Sequence, residues 1–400
     1  MFSDVRKKVF KYLVAFKYSE KEQIKAKKEE VKAKKEQVKA KKEQVKAKKE
    51  QVKAKKEEVK AKKEQVKAKK EEIKAKKEEV KAKKEEVKAN KEEIKAKKEE
   101  IQVLKTIVLE EALQTNIKEL EENGYTIIHN VYNNEEIEEY KREFFNWYKN
   151  TKDVERLHQI IHGNGIFKYF EIGHQRFTWL ARTNPKIINI FKHLWNCDEV
   201  VTGFDGCCYY PSDYKKEDVY WTHTDQSSHK KGRHCYQSFL SLTNNSERTL
   251  LIYKGSHLLH EHYFKSLNID TPRDWCVLDK NYVSNLEDKK VYVKVGAGDL
   301  VVWDSRTFHQ NTCGNSNCNE ERLVQYLCYL PKNNIKNDKI QQSLRREYFE
   351  ERYTTSHWPY PITNVPLQPY YNQGNKIVIN YASLPKPKLD DLKEEIEKIL

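Results

Sequence analysis

His223-Thr224-Asp225 and, much further along the chain, His309 offer two imidazoles and one carboxylate. That donor set is the 2-His-1-carboxylate facial triad of non-haem Fe(II) oxygenases, which leaves three metal positions open. The i,i+2 spacing of His223 and Asp225 projects both side chains from one face of a strand or its extension. Arg322 follows the distal histidine closely. A guanidinium is a rigid two-pronged donor matched to a carboxylate, so Arg322 suits the far carboxylate of 2-oxoglutarate. Burying that arginine without an anion would be costly, which an obligate acidic cosubstrate explains. The plain alternative makes the two histidines ordinary core or surface residues and puts Arg322 in a salt bridge. Context weighs against it: Trp221 precedes the first motif and Gln226 follows it. A Gly296-Ala297-Gly298 turn also opens a strand, Asp299–Trp303, just before His309.

Positioning these groups needs a framework of short strands. Asn123-Gly124-Tyr125-Thr126-Ile127-Ile128 reads as a helix stop and then a strand, and Asn133-Asn134-Glu135-Glu136 starts a helix to about Tyr148. From residue 200 to 330 the pattern changes to strands at Cys235–Leu242, Thr249–Tyr253, Lys289–Val295, Asp299–Trp303 and Leu323–Leu330, separated by turn residues. Many short strands behind flanking helices predict a mainly β fold, a double-stranded β-helix or jelly roll. Pro385 and Pro387 lead into a final helix with Leu389, Leu392, Ile396 and Ile399 at 3-4-3 spacing. That apolar stripe wants a partner, either the body of the same chain or another subunit.

The N-terminal part is of another kind. Residues 24–100 repeat the heptad Val-Lys-Ala-Lys-Lys-Glu-Glu/Gln, which carries nearly all of the net charge of +15. The basic pI is therefore no sign that the remainder binds nucleic acid. A coiled coil needs apolar residues at both a and d, and here the d positions that match the β-branched residues are Lys34, Lys41, Lys48 and so on. Pairs such as Glu30→Lys34 and Lys32→Glu36 at i,i+4, with good helix formers and no Gly or Pro, favour a solvated single helix over a weak coiled coil or disorder. It reads as a stalk or spacer, with self-association or a protein partner as its alternatives. Alternating signs suit solvation better than phosphate binding. Residues 1–20 hold a short amphipathic segment (Val5, Val9, Phe10, Leu13, Val14, Phe16), a docking or capping helix or else a membrane-surface anchor. The expected division is 1–20, the repeat at 21–102, a catalytic domain at 103–370 and an extension at 371–400.

No secretory signal is visible and no stretch approaches the roughly 20 apolar residues that span a bilayer. The eight cysteines lack paired C-x2-C zinc spacing. Reduced thiols in a cytoplasmic setting are the expectation.

Residues from about 115 to 365 resemble the phytanoyl-CoA dioxygenase (PhyH-like) family of Fe(II)/2-oxoglutarate oxygenases. In chain order the resemblance is carried by Asn123-Gly124-Tyr125, by Gly173-His174-Gln175 with Trp179 and Arg182, and by Phe204-Asp205-Gly206. Trp221-Thr222-His223-Thr224-Asp225-Gln226-Ser227, Lys254-Gly255-Ser256-His257, Trp303 to Asn311 and Thr355-Ser356-His357-Trp358-Pro359 complete it. Lys254 stands where the family has proline, and Glu247-Arg248 where it has Asn-Gly. Both departures bear on loop geometry more than on the metal site.

The resemblance implies a jelly-roll core, Fe(II) at His223, Asp225 and His309, 2-oxoglutarate at Arg322, and O2 as second cosubstrate. Related halogenases carry a small residue in place of the carboxylate, so Asp225 predicts hydroxylation of an organic substrate with release of succinate and CO2. The alternatives are a catalytically idle jelly-roll binding module on its stalk, or a nucleic-acid-binding protein acting through the lysine repeat. Gln237 shares a strand face with Cys235 and Phe239 and is a candidate cosubstrate contact. Trp221 and Trp303 read as core, Ser305-Arg306 and His357-Trp358 as pocket or framework. His257, His260 and His262 read as turn and surface residues, and Cys313 and Cys318 as free thiols. The substrate, a small molecule or a side chain, is left open.

Overall fold

The computed structural model describes residues 70–161, 163–215, 217–369 and 378–400, which divide into two units, Met1–Ala112 and Leu113–Leu400. The amphipathic segment at 1–20, the repeat up to residue 69 and its pairs Glu30→Lys34 and Lys32→Glu36 lie outside the described residues. From Lys70 the chain is helical. Helix α1 (Lys70–Asn123) takes in the last repeats and holds one of the spaced pairs, Glu93 and Lys97, at 3.3 Å. Among the described residues no helix is long and apolar enough to cross a membrane.

In the second unit, α1 stops at Asn123 and strand β1 (Tyr125–Ile128) follows at once. Helix α2 (Asn134–Asn150) begins where the sequence placed it. The Asn133 side chain accepts from the Glu136 amide at 2.9 Å, and the Glu136 carboxylate accepts from the Asn133 amide at 2.8 Å. This reciprocal capping box satisfies two otherwise orphaned donors. Helices α3 (Val154–Ile161), α4 (Arg176–Arg182) and α5 (Pro185–Trp195) complete the helical layer.

The strands form two antiparallel sheets. β1, β9 (Leu300–Asp304), β5 (Tyr236–Ser241), β11 (Arg322–Pro331) and β2 (Val200–Thr202) lie side by side in one, with β3 (Cys207–Tyr210) also on β11. The other runs β7 (Cys276–Val277), β4 (His223–Thr224), β10 (His309–Asn311), β6 (Asn245–Tyr253), β8 (Lys290–Val295). Strand alternation sorts the side chains. Phe239, Val301 and Val324 meet Leu250, Ile252 and Val293 of the facing sheet. Leu240, Leu300, Val302 and Leu323 turn outward against Tyr140, Phe144, Phe177 and Phe191 of the helices. A jelly-roll-like sandwich with helices on one outer face results, as the turn-punctuated strands predicted.

The C-terminal stripe finds its partner within this unit. Ile396 and Ile399 of the last helix (Lys393–Ile399) are buried in the helix-side core, with Leu389 and Leu392 packed at its margin. Leu389 and Leu392 precede the helix, so it is shorter than their spacing suggested.

Candidate metal centre and cavity

His223 and His309 are direct cross-strand partners, β4 against β10. Opposed residues on adjacent strands point the same way, and the two imidazole centroids lie 4.3 Å apart. Asp225 sits one residue past β4, its amide tied to the Ser305 carbonyl at 3.0 Å. Its Oδ2 lies 3.5 Å from His223 Nε2 and 3.3 Å from His309 Nε2. One donor atom from each of the three residues falls within 4.8 Å of the others, and all three residues are buried.

The other ring nitrogens decide what this cluster can hold. His223 Nδ1 lies 3.0 Å from the Trp221 carbonyl and His309 Nδ1 2.8 Å from the Thr307 carbonyl. A carbonyl only accepts, so each Nδ1 carries a proton and each Nε2 presents a lone pair to the Asp225 carboxylate. Three acceptors converging in a buried space call for a cation between them, and ring N–H groups held by backbone carbonyls are typical of metal-bound histidines. With no metal between them a proton on the imidazoles takes its place, and that charge holds the Asp225 carboxyl well below the usual range although burial opposes its ionisation. Burial, reinforced by His223, lowers the His309 pKa and so favours the neutral, ligating form. The ring of Trp221 stacks on His223 at 4.8 Å and fixes its plane.

Arg322, at the start of β11, is buried with no carboxylate against it. One guanidinium nitrogen reaches only the Cys208 sulfur at 3.8 Å, and the other, Nη2, has no partner. Phe239 lies beneath the group at 5.4 Å. Trp303 Nε1 and Gln237 Oε1 are likewise buried without partners. Orphaned donors of this kind in a native core ask for a ligand, and a guanidinium with a free fork fits a carboxylate.

Beside the triad opens a cavity of about 700 Å³ that reaches Trp303, Gln237, Asn311 and Tyr326 on the sheets and residues 354–358 of a C-terminal segment. Gln237, expected near the cosubstrate, donates its amide to Asp225 Oδ2 at 2.9 Å and so orients the carboxylate from within the same cavity.

Of the remaining candidates His357 and Trp358 line the cavity, whereas Ser305 and Arg306, outside its lining, are framework. Ser305 donates to Gln226 at 2.9 Å, and Arg306 pairs with Asp304 at 2.7 Å. The exposed His262 approaches Tyr282, as a surface residue would, but His257, in its turn, is buried and bonds the Glu121 carbonyl. His260 is buried too and donates to the Gln226 carbonyl at 2.8 Å, so it anchors the loop that carries Asp225. All eight cysteines are free, Cys313 and Cys318 buried. The sequence marked Arg248 only as a departure bearing on loop geometry; its guanidinium donates to the carbonyls of Pro211, Tyr214, Cys313, Cys318 and Glu320. No motif signals this, because its partners are backbone atoms of distant loops.

Residues 120–317 match the family model described as Phytanoyl-CoA dioxygenase (PhyH), a span that holds the triad and ends short of Arg322. "Ava biosynthesis cluster protein O" of Aspergillus versicolor is 28% identical over 240 residues, covering 54% of this chain and 76% of that protein. The apoform crystal structure of EctD from S. alaskensis is 15% identical, covers 54% of this chain and 75% of its own, and has a TM-score of 0.38. The epimerase SnoN, crystallised with Fe3+, alpha ketoglutarate and nogalamycin RO, is 18% identical, covers 55% and 84%, and has a TM-score of 0.39.

Proposed function

The chain carries a domain of the phytanoyl-CoA dioxygenase (PhyH) family, and from that premise we propose that it is an Fe(II)- and 2-oxoglutarate-dependent oxygenase that hydroxylates an organic substrate. His223, Asp225 and His309 hold the iron, and Arg322 holds the outer carboxylate of 2-oxoglutarate. The observation that carries this reading is the convergence of three buried acceptors, both imidazoles locked in the Nε2-presenting tautomer, in a sandwich that also buries an arginine with an unpartnered Nη2. Iron with 2-oxoglutarate and O2 supplies oxidation of a C–H bond, the cosubstrate leaving as succinate and CO2.

The chain's own residues do the positioning. The Trp221 and Thr307 carbonyls fix the imidazole tautomers, and Gln237 holds one carboxylate oxygen of Asp225. Asp225 keeps three ligands in place, which favours hydroxylation over halogenation. Burial removes water from around these groups and strengthens each electrostatic contact. Arg322 lies at the foot of β11, within reach of the Cys208 and Phe239 side chains between the sheets, so a bound diacid would neutralise it there.

We assign the catalytic domain to 103–370 and the extension to 371–400. The repeat at 21–102 serves as a solvated helical stalk, supported by helix from Lys70 and by the Glu93–Lys97 pair.

The test is anaerobic titration of the full chain with Fe(II) and 2-oxoglutarate, following the weak visible metal-to-ligand charge-transfer band. The band is expected in the wild type and lost in His223→Ala and Arg322→Ala. A folded wild-type protein without the band overturns the oxygenase reading.

A further inference from the structure

The cavity has a second charged feature that the metal and cosubstrate do not use. The Asp205 carboxylate lines it and lies in no ion pair among the described residues. Its one hydrogen bond is local: Oδ1 accepts from the Gly206 amide at 2.7 Å. His357, from the C-terminal segment, lines the same cavity with its Nε2 buried and without a partner. The two residues are far apart in sequence, and a dedicated framework brings them together. The Phe204 amide donates to Thr355 Oγ1 at 2.8 Å and the Thr355 amide to the Phe204 carbonyl at 3.0 Å. Buried Arg182 bridges the carbonyls of Gly173 and Asp205. Gln325 donates to the Gly206 carbonyl at 2.9 Å. A Cβ at Gly173 would collide with the Phe204 carbonyl, and one at Gly206 with the Phe167 carbonyl. The backbone around Asp205 is thus held from several sides, while its carboxylate, engaged at Oδ1 by the Gly206 amide, lines the cavity.

Asp205 is a half-buried carboxylate whose neighbouring cation, Arg182, is bonded to backbone carbonyls, so its charge is only partly compensated, and a buried imidazole nitrogen with nothing to bond is costly. Desolvation pushes the Asp205 carboxyl above the usual range, a rise that His357, the Gly206 amide, Arg182 and Lys168 partly offset. Both costs vanish if a substrate supplies the missing partner. The adjoining walls are aromatic. Trp275 lies 6.0 Å from His223 and is 53% exposed despite its size, and Trp358 presents an unpartnered indole nitrogen. Flat apolar surface of this kind receives rings. The cations that share the lining, Lys168 and Arg273, are exposed to solvent and screened. Asp205, half-buried, is less screened than they are, although Arg182 offsets part of its charge.

We propose that Asp205 and His357 form the specificity-determining end of the cavity, and that it takes a ring-bearing small molecule presenting an amine or hydroxyl donor. This rests on the oxygenase reading for which end of the cavity is the reacting one, although the binding preference needs no iron. Asp205 accepts the substrate's N–H or O–H, His357 bonds the same polar group, and Trp275 covers the ring. A substrate that presents only a carboxylate is rejected by charge.

The test uses the metal-free full chain with three probes of one shape: phenethylamine, 2-phenylethanol and 3-phenylpropionate. Saturation-transfer NMR and calorimetry measure their binding. The amine or the alcohol is expected to bind at least about tenfold more tightly than the acid, and which of the two leads identifies the donor. Asp205→Asn should abolish the preference for the amine, and His357→Phe should weaken both donor probes while keeping the wall apolar. Equal binding of all three probes, no saturable binding of any, or a preference that survives in folded Asp205→Asn overturns the inference. The Fe(II)/2-oxoglutarate band, recorded on the same preparations, separates the two claims. A retained band without the preference sinks only the substrate assignment, and a preference without the band sinks only the oxygenase reading.

Discussion

Two arginines of this sandwich, Arg248 and Arg322, are equally buried, at 0% and 1% exposure, and among the described residues neither pairs with a carboxylate. Around Arg248 five carbonyls converge, so the guanidinium is saturated and ties two loops to β6. Around Arg322 there is a thiol and a phenyl ring, with one nitrogen unsatisfied. Burial alone therefore says nothing about role. A buried cation that the fold has already satisfied is a fastening, and one left with donors to spare is a binding site.

Replacing each arginine by methionine separates the two. Arg248→Met orphans several buried carbonyls, each worth about 1 kcal/mol or more, so we expect a loss of roughly 3–5 kcal/mol in denaturant unfolding. The 2-oxoglutarate affinity of the folded fraction should stay near wild type. Arg322→Met should reverse the pattern. Stability should change by less than about 1 kcal/mol, since an uncompensated charge is removed. Affinity for 2-oxoglutarate should fall by roughly 1.5–3 kcal/mol, on the order of 10- to 150-fold, as charged hydrogen bonds are lost. Similar stability losses in both variants would erase the distinction.

The smallest effect concerns the histidines, where the same contrast recurs. His158 and His174 donate to the carbonyls of Tyr209 and Tyr353, at 2.7 and 3.0 Å. Burial lowers their pKa values to about 4 and about 3. Because the folded values lie below the unfolded one near 6.5, the unfolded chain takes up the protons first. Stability is then full above about pH 6.5 and declines as pH falls towards the folded values, by about 1 kcal/mol per histidine near pH 5.5. His158→Phe, which keeps the stack on Phe167, should flatten the stability-against-pH slope between pH 6.5 and 5 relative to wild type. An unchanged slope would show that His158 is already charged in the fold.

Much of the framework was readable along the chain because its causes are local. Asn133 and Glu136 specify a capping box within four residues, and turn residues mark β5, β8, β9 and β11 close to their observed limits, while β6 begins four residues before the expected Thr249. The final helix is shorter than its leucine and isoleucine spacing implied, since Leu389 and Leu392 are held by packing outside it. Gln237 was placed in the right space, but only the fold shows that it bonds Asp225.

By itself the sequence determined the donor types: a His-x-Asp, a distal His and an Arg are chemistry that no packing can supply later. It also determined the strand pattern that brings them near one another, because a period of two is written residue by residue. Tertiary structure decided which buried polar groups are finished and which are waiting. Whether Arg248, Arg322 or His260 has a partner depends on atoms scores of residues away, brought close only by folding. Hydrogen-bond satisfaction is a property of three-dimensional neighbours, so the line between fastening and site could be drawn only there.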